Sequence, residues 1–180
     1  MPWQKEPKKD GVTQPKSTAC RLRLTRRSPN EETLWVMNPE LCHKTIRHTF
    51  NKALRKRGVT GETLLQLLET RLDNVAFRLG FATTRPFARQ MVVHGHLKVN
   101  GRKVSSPSFN VKTGDVVEAR SSAKAKTLIQ KNLEATQMVT VPDWLVMDKE
   151  NLRGEVKRIP TREEIAPIVN ERLVVELYSR

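Results

Sequence analysis

The side chains with the most chemistry to offer are arginines. Arg85 and Arg89 stand one helical turn apart, Arg71 and Arg78 precede them, and Lys98, Arg102 and Lys103 follow. A guanidinium is a planar fork that grips a phosphate through two hydrogen bonds and stacks on a splayed base, whereas a lysine supplies a mobile point charge. A second basic group lies upstream at Lys44, Arg47, Lys52, Arg55, Lys56 and Arg57, with no acid between. Gln90 and Asn100 complete the set of side chains expected to face a polyanion. Arg71 has two readings open, because Glu69 and Asp73 are close enough in sequence to pair with it. His94 and His96 bracket Gly95. Their ring nitrogens either donate to phosphate and 2′-hydroxyl groups or close the local turn.

Catalytic chemistry finds no comparable grouping. Cys42-His43 with His48 suggests a metal, but Cys20 is far upstream and neither CxxC nor HxxxH spacing occurs, so no metal is expected. Glu163-Glu164 sits at a helix start, where carboxylates complement the dipole. No G-x-S-x-G, P-loop or Rossmann glycine pattern is present, so neither an enzyme nor a cofactor is expected.

Charge along the 180 residues sharpens this reading. The net charge is +14, from 33 Lys and Arg against 19 Asp and Glu. Residues 44–57 carry +6 and residues 81–120 carry +5, while the intervening 58–80 carry −1 and 121–180 only +1. Two cationic zones flanking an apolar stretch imply a surface for phosphate rather than a generally solvated exterior. The hydrophobic share is 37%, so the core is expected to be modest. No apolar run approaches the roughly 18 residues of a membrane span, and the start, MPWQKEPKKDG, lacks the apolar region of a secretory signal. Residues 1–30 carry +6, include four prolines and show no period, which implies an extended basic arm.

The elements that must hold these groups follow from periodicity. Asn38 and Pro39 open a helix whose apolar positions are Leu41, Ile46, Phe50 and Leu54, ending at Gly58. Glu62 to Leu79 reads as one core helix, capped by Thr60 and stopped by Gly80. A third helix runs from Arg85 to His94, with Thr84 as cap, Pro86 in the first turn, Gly95 as stop, and Phe87, Ala88, Met91 and Val92 inward. The period then drops to 2: Leu97, Val99 and Val104 flank Asn100-Gly101, a hairpin signal. Val111 and Val116–Ala119 around Lys112-Thr113-Gly114-Asp115 read as a further strand pair. Residues 122–136 read as helix, Gln137–Val141 and Leu152–Arg158 as strand-like, a short helix follows Thr161, and LVVELYSR reads as a strand or docked tail.

Residues 71–104, RLDNVAFRLGFATTRPFARQMVVHGHLKVNGRKV, closely resemble the RNA-binding module named after ribosomal protein S-four. That module also occurs in pseudouridine synthases, some tyrosyl-transfer-RNA synthetases and a heat-shock RNA-binding protein. The flanks ALRKRGVTGETLLQLLE (53–69) and ERLVVELYSR (171–180) are similar to the bacterial and organellar small-subunit ribosomal protein family itself. The resemblance implies an α+β fold in which a helical domain, made of residues 44–70 with 137–180, receives an inserted module at 71–136 of two helices and a small antiparallel sheet. It implies a non-catalytic protein that binds small-subunit ribosomal RNA directly, nucleates assembly of the subunit body, lies beside proteins S-five and S-twelve and contributes to decoding accuracy. Some members repress their own messenger RNA. The implied location is the cytoplasmic small subunit, bacterial rather than plastid or mitochondrial in the absence of a clear transit peptide. Residues 1–43 depart from the family pattern, which usually opens with a tyrosine- and glycine-containing basic segment and often a zinc-binding cysteine cluster, so no family contact is carried over to them. Two other classes compete. A pseudouridine synthase bearing the module would need a catalytic aspartate domain, for which the residues after 120 are few. A DNA-binding repressor would need a dimerisation segment.

Overall fold

The computed structural model describes residues 43–136, 140–165 and 171–179. The expected basic arm, the Asn38-Pro39 helix start, Leu41 and both cysteines lie outside the described residues, as does most of Gln137–Val141.

Helix α1 (His43–Leu54) buries Ile46, Phe50 and Ala53, one stripe at spacings of four and three. Leu54, one position round from Ala53, points away and is 54% exposed. The chain then turns through residues 55–58, where Gly58 adopts φ +120°, into α2 (Thr60–Glu69). Val59, not Thr60, occupies the cap position; the Thr63 hydroxyl donates back to the Val59 carbonyl at 3.0 Å. Leu64 and Leu68 of α2 meet the α1 stripe.

The single helix expected over Glu62–Leu79 is two. Helix α3 (Leu72–Arg78) starts after a break at Thr70 and Arg71, where Arg71 is extended at φ −67°, ψ 141°. The Thr70 amide and hydroxyl both donate to the Gln66 carbonyl, at 2.9 and 2.8 Å, closing α2. The broken backbone then pairs with the loop ahead of Val111: Leu72 N–H donates to Phe109 O and Val111 N–H to Thr70 O, each at 2.8 Å. The Asn110 side-chain amide donates to Leu67 O at 2.9 Å and Asn74 to Leu68 O at 2.9 Å. Every one of these bonds uses a group that a continuous helix would have consumed internally. Val111 is thereby committed to the break and forms no strand, contrary to the expected pair with Val116–Ala119.

Two left-handed glycines turn the chain into and out of α4 (Arg85–Val93). At Gly80 (φ +78°) and Gly95 (φ +69°) the next residue's N–H reaches back five positions, Phe81 to Ala76 O and His96 to Met91 O, each at 3.1 Å. Both are helix stops of the kind glycine favours. Thr84 caps α4 as expected, accepting from Phe87 N at 3.4 Å, with Pro86 in the first turn.

The sheet is antiparallel with order β2-β1-β3-β5-β4: β1 (Leu97–Val99), β2 (Arg102–Lys103), β3 (Val116–Ala119), β4 (Leu145–Asp148) and β5 (Arg153–Val156). Asn100 (φ +50°) and Gly101 (φ +76°) make the expected hairpin turn. Val99, Val117 and Gly154 share a row on the buried face. Leu79 of α3 lies so close to Gly154 that a Cβ there would stand 2.4 Å from Leu79 Cδ1. The core joins this row to Leu72, Val75, Ala76, Met91, Val92 and Trp144. Helix α5 (Ala123–Ala135) covers it through Ala125 and Ile129. Asn132 and Thr136 tie its end to the carbonyls of Phe81 and Gly80, at 2.8 and 3.0 Å.

Two expectations about the C-terminal region change. Residues 145–156, assigned with the helical domain, instead supply β4 and β5 of the module's sheet, because β5 pairs with β3 through Val117↔Gly154. The LVVELYSR segment, whose Arg180 lies outside the described residues, is a docked tail in helical form, α6 (Glu171–Ser179), and not a strand. Its β-branched residues favour strand locally, but Val174 is buried against α1 and α2 and Tyr178 lies 5.6 Å from the Phe50 ring. Tertiary burial overrides that weak local preference. Gly61 permits the close approach of α6: a Cβ there would meet Glu171 Cγ at 2.8 Å. Arg162 holds Glu171 through two hydrogen bonds of 2.9 and 2.8 Å. These bonds keep the Glu171 carboxyl below the ordinary glutamate range.

Candidate nucleic-acid interface

The outer face of α1 is built by subtraction. With Ile46, Phe50 and Ala53 inward, Lys44, Arg47, His48 and Lys52 are exposed, and Arg55, Lys56 and Arg57 crowd the turn that follows. Among the described residues no carboxylate comes within ion-pair distance of any of these cations. Six like charges in 14 residues, uncompensated among the described residues, repel one another, and a polyanion relieves that repulsion.

The second zone is more structured. Where α2, α3 and α4 converge, Arg71, Arg78, Arg85 and Arg89 surround two buried carboxylates, Glu69 and Asp73. Arg71 is not on the outer face. Its side chain is 3% exposed and donates to both Asp73 oxygens, at 3.1 and 2.8 Å, so of its two readings the ion pair is the one the structure adopts. The cause is the helix break, which turns Arg71 back over the first turn of α3. Arg78 donates to Glu69 Oε1 at 3.0 Å and is 28% exposed. Arg89, at 39% exposed, approaches Asp73 at 3.6 Å and is the most open of these three. The Arg85 guanidinium lies over the Phe77 ring, 5.3 Å from its centroid. Burial lowers its pKa, opposed by Glu69 and assisted by Arg78. The cluster therefore partly neutralises itself and retains an excess of two positive charges, with Arg89 and the open edge of Arg85 facing out.

Beyond α4 the cationic surface continues. Gln90 and His94 are exposed, and the His94 and His96 rings stand 6.0 Å apart. Partial burial lowers the His96 pKa, with further lowering from His94 and Arg120. Lys103 passes directly over Gly95, where an added Cβ would lie 2.2 Å from Lys103 Cε. In the sheet Lys98 is directly opposite Lys103, a like-charge pair that destabilises unless an anion bridges it. On its other side Lys98 faces Glu118, but Glu118 pairs with Arg153 at 3.4 Å and Lys98 donates to Ser121 Oγ at 3.2 Å. Arg102 is exposed at the hairpin tip. Asn100 is spent on structure: its amide donates to Asp115 Oδ1 at 2.8 Å and its oxygen accepts from Val116 N at 2.9 Å.

Three residues absent from the sequence expectation join these zones. Arg120 reaches His96 because β3 ends beside β1, its N–H donating to the His96 carbonyl at 2.7 Å. Ser108 and Asn110 lie where the loop before β3 crosses α1, lining a pocket of about 60 Å³ with His48, Lys52 and Arg71. No local signal marks Ser108 or Asn110, since their place depends on the break at Arg71.

The S4 domain family model matches residues 70–117, from the helix break through the first two residues of β3. The chain is 52% identical over 135 residues to the small ribosomal subunit protein uS4 of Akkermansia muciniphila, covering 75% of this chain and 66% of that one. It is 53% identical over 140 residues to the uS4 protein of Thermoanaerobacter sp. strain X514, with 78% and 67% covered. The uS4A protein of Symbiobacterium thermophilum is 47% identical over 163 residues, with 87% and 78% covered. The chain belongs to the small ribosomal subunit protein uS4 family. It spans about two thirds of the length of the first two of these relatives. The uS4 family is one of structural, non-enzymatic ribosomal proteins. The α+β architecture carrying an S4 domain accords with it.

Proposed function

We propose that this chain binds small-subunit ribosomal RNA directly, using the outer face of α1 and the surface running from Arg85 and Arg89 through His94, His96, Lys98, Arg102 and Lys103. The observation that carries the reading is the uncompensated row on α1 and its turn: Arg47, Lys52, Arg55, Lys56 and Arg57 are exposed and without a carboxylate among the described residues. A protein that needed only solubility would intersperse acids there. Arg78 contributes through its exposed edge, Gln90 by hydrogen bonding, and Asn100 by holding the hairpin that presents Arg102 and Lys103. The proposed division follows the two hydrophobic clusters, with α1, α2 and α6 as one part and the module with its five-stranded sheet as the other.

In this reading two rigid parts grip separate segments of a folded RNA, which stabilises the RNA junction early in assembly of the subunit body. A position beside proteins S-five and S-twelve, a contribution to decoding accuracy and a bacterial cytoplasmic ribosome follow as parts of the same proposal. Co-sedimentation tests it. The chain should travel with bacterial small subunits at low salt, and Arg85→Ala with Arg89→Ala should release it without loss of fold. A chain that stays in the free pool overturns the proposal.

A further inference from the structure

Resting on that reading, we infer that the small pocket between α1 and the helix break seats one phosphate group of the bound RNA. Three stretches far apart in sequence line it: Thr45, His48 and Lys52 from α1, Arg71 from the break, and Ser108 with Asn110 from the loop before β3. Its volume of about 60 Å³ suits a single tetrahedral oxyanion rather than a nucleobase, and His48 is the one ring among its lining residues. Lys52 and His48 bring cationic or donor groups with no carboxylate in reach among the described residues. Arg71 has its charge met by Asp73 on the protein side, so it shapes the pocket without supplying net charge. Ser108 is exposed and its hydroxyl has no partner among the described residues, which leaves it a free donor.

The pocket is also held rigid. Asn110 is fixed by donating to Leu67 O and Thr70 Oγ1, at 2.9 and 3.3 Å, and Leu72 N–H fixes the neighbouring Phe109 carbonyl. Asn110 thus spends its amide hydrogens on the wall of the pocket, and a wall that needs no rearrangement lowers the entropic cost of seating an anion against Lys52, His48 and Ser108. Position adds the remaining argument. The pocket is where the basic face of α1 meets the module, so a phosphate seated there would bridge the two cationic zones and set the distance between the RNA segments they hold. A carboxylate of a neighbouring protein has the same charge but would leave the flanking cations unused.

The test is a titration of inorganic phosphate against chloride at matched ionic strength, followed by amide chemical shifts of the full chain. Saturable shifts at Lys52, Ser108 and Asn110 are expected. Ser108→Trp should abolish them by filling the mouth of the pocket, while Arg57→Gln should leave them intact. In binding to transcribed small-subunit ribosomal RNA, Ser108→Trp should lose about tenfold in affinity, as for one charge-assisted contact. Shifts that spread without saturation over all the basic residues overturn the inference. So does wild-type RNA affinity in Ser108→Trp when Arg85→Ala with Arg89→Ala is weakened, an outcome that leaves the larger reading standing. Failure of the wild-type chain to bind that RNA overturns both.

Discussion

One carboxylate, Asp73, serves two arginines of opposite character, and separating them is a sharp test of the interface. Arg71 is 3% exposed and bidentate on Asp73, whereas Arg89 is 39% exposed and 3.6 Å away. Asp73→Asn keeps the shape but leaves the Arg71 guanidinium buried without a counter-charge. Removing one partner of a buried pair costs about 3–5 kcal/mol. The low end applies, because the Asp73 side chain retains some exposure. A loss of about 3 kcal/mol corresponds to a fall in Tm of about 6–12 °C for a chain of this size. Arg89→Ala removes only a partly exposed pair and should cost at most about 1 kcal/mol of stability. Its effect belongs to RNA binding, where losing one phosphate contact should reduce the slope of log affinity on log salt by about 0.9. Arg71→Met should do the reverse, lowering Tm while leaving the slope at 10 °C unchanged. Calorimetric melting and filter binding read the two quantities separately. The reasoning fails if Asp73→Asn melts within about 2 °C of wild type, or if Arg71→Met lowers the salt slope as Arg89→Ala does.

Gly154→Ala should lower the unfolding free energy from urea titration by about 1–3 kcal/mol through overpacking against Leu79, and adding Leu79→Val should recover part of the loss. The depressed His96 pKa means that below about pH 6.5 the unfolded chain takes up a proton the folded chain resists, so stability falls as pH drops from there. RNA phosphate reverses the preference by favouring imidazolium beside His94 and Arg120. Affinity should therefore rise between pH 7.5 and 5.5, and His94→Gln with His96→Gln should flatten that rise in a binding titration. The depressed Glu171 pKa has the opposite sign: its contribution is present above about 4.5 and is lost as pH falls through the lower folded value. Protection of the α6 amides relative to their intrinsic exchange should fall in acid, and Glu171→Gln should show the reduced protection already at neutral pH.

What was legible in the sequence was local. Thr84, Pro86, Gly80, Gly95 and Asn100-Gly101 act through their own backbone and neighbours, and each does in the fold what its chemistry indicates. The break at Thr70–Arg71 was not legible, because Leu72, Val75, Ala76 and Leu79 continue the apolar stripe of α2 without interruption while the bonds that replace the helix come from Phe109 to Val111. That non-local pairing also buries Arg71 against Asp73 and so decides between its two readings, which gives the arginine's placement and the misplaced helix boundary one cause. The join of β5 to β3 depends likewise on a distant pairing, made possible by Gly154 under Leu79. Charge was the most faithful guide to the candidate interface. Six cations without an acid between them fall on one exposed helix and its turn, as their density implied.

The most direct measurement is the salt dependence of binding to transcribed small-subunit ribosomal RNA by the intact chain. With both basic zones engaged on about six to ten phosphates, log affinity against log salt should fall with a slope of about −4 to −9. A slope near zero would mean that these guanidinium and ammonium groups do not hold RNA, and would contradict the account at its root.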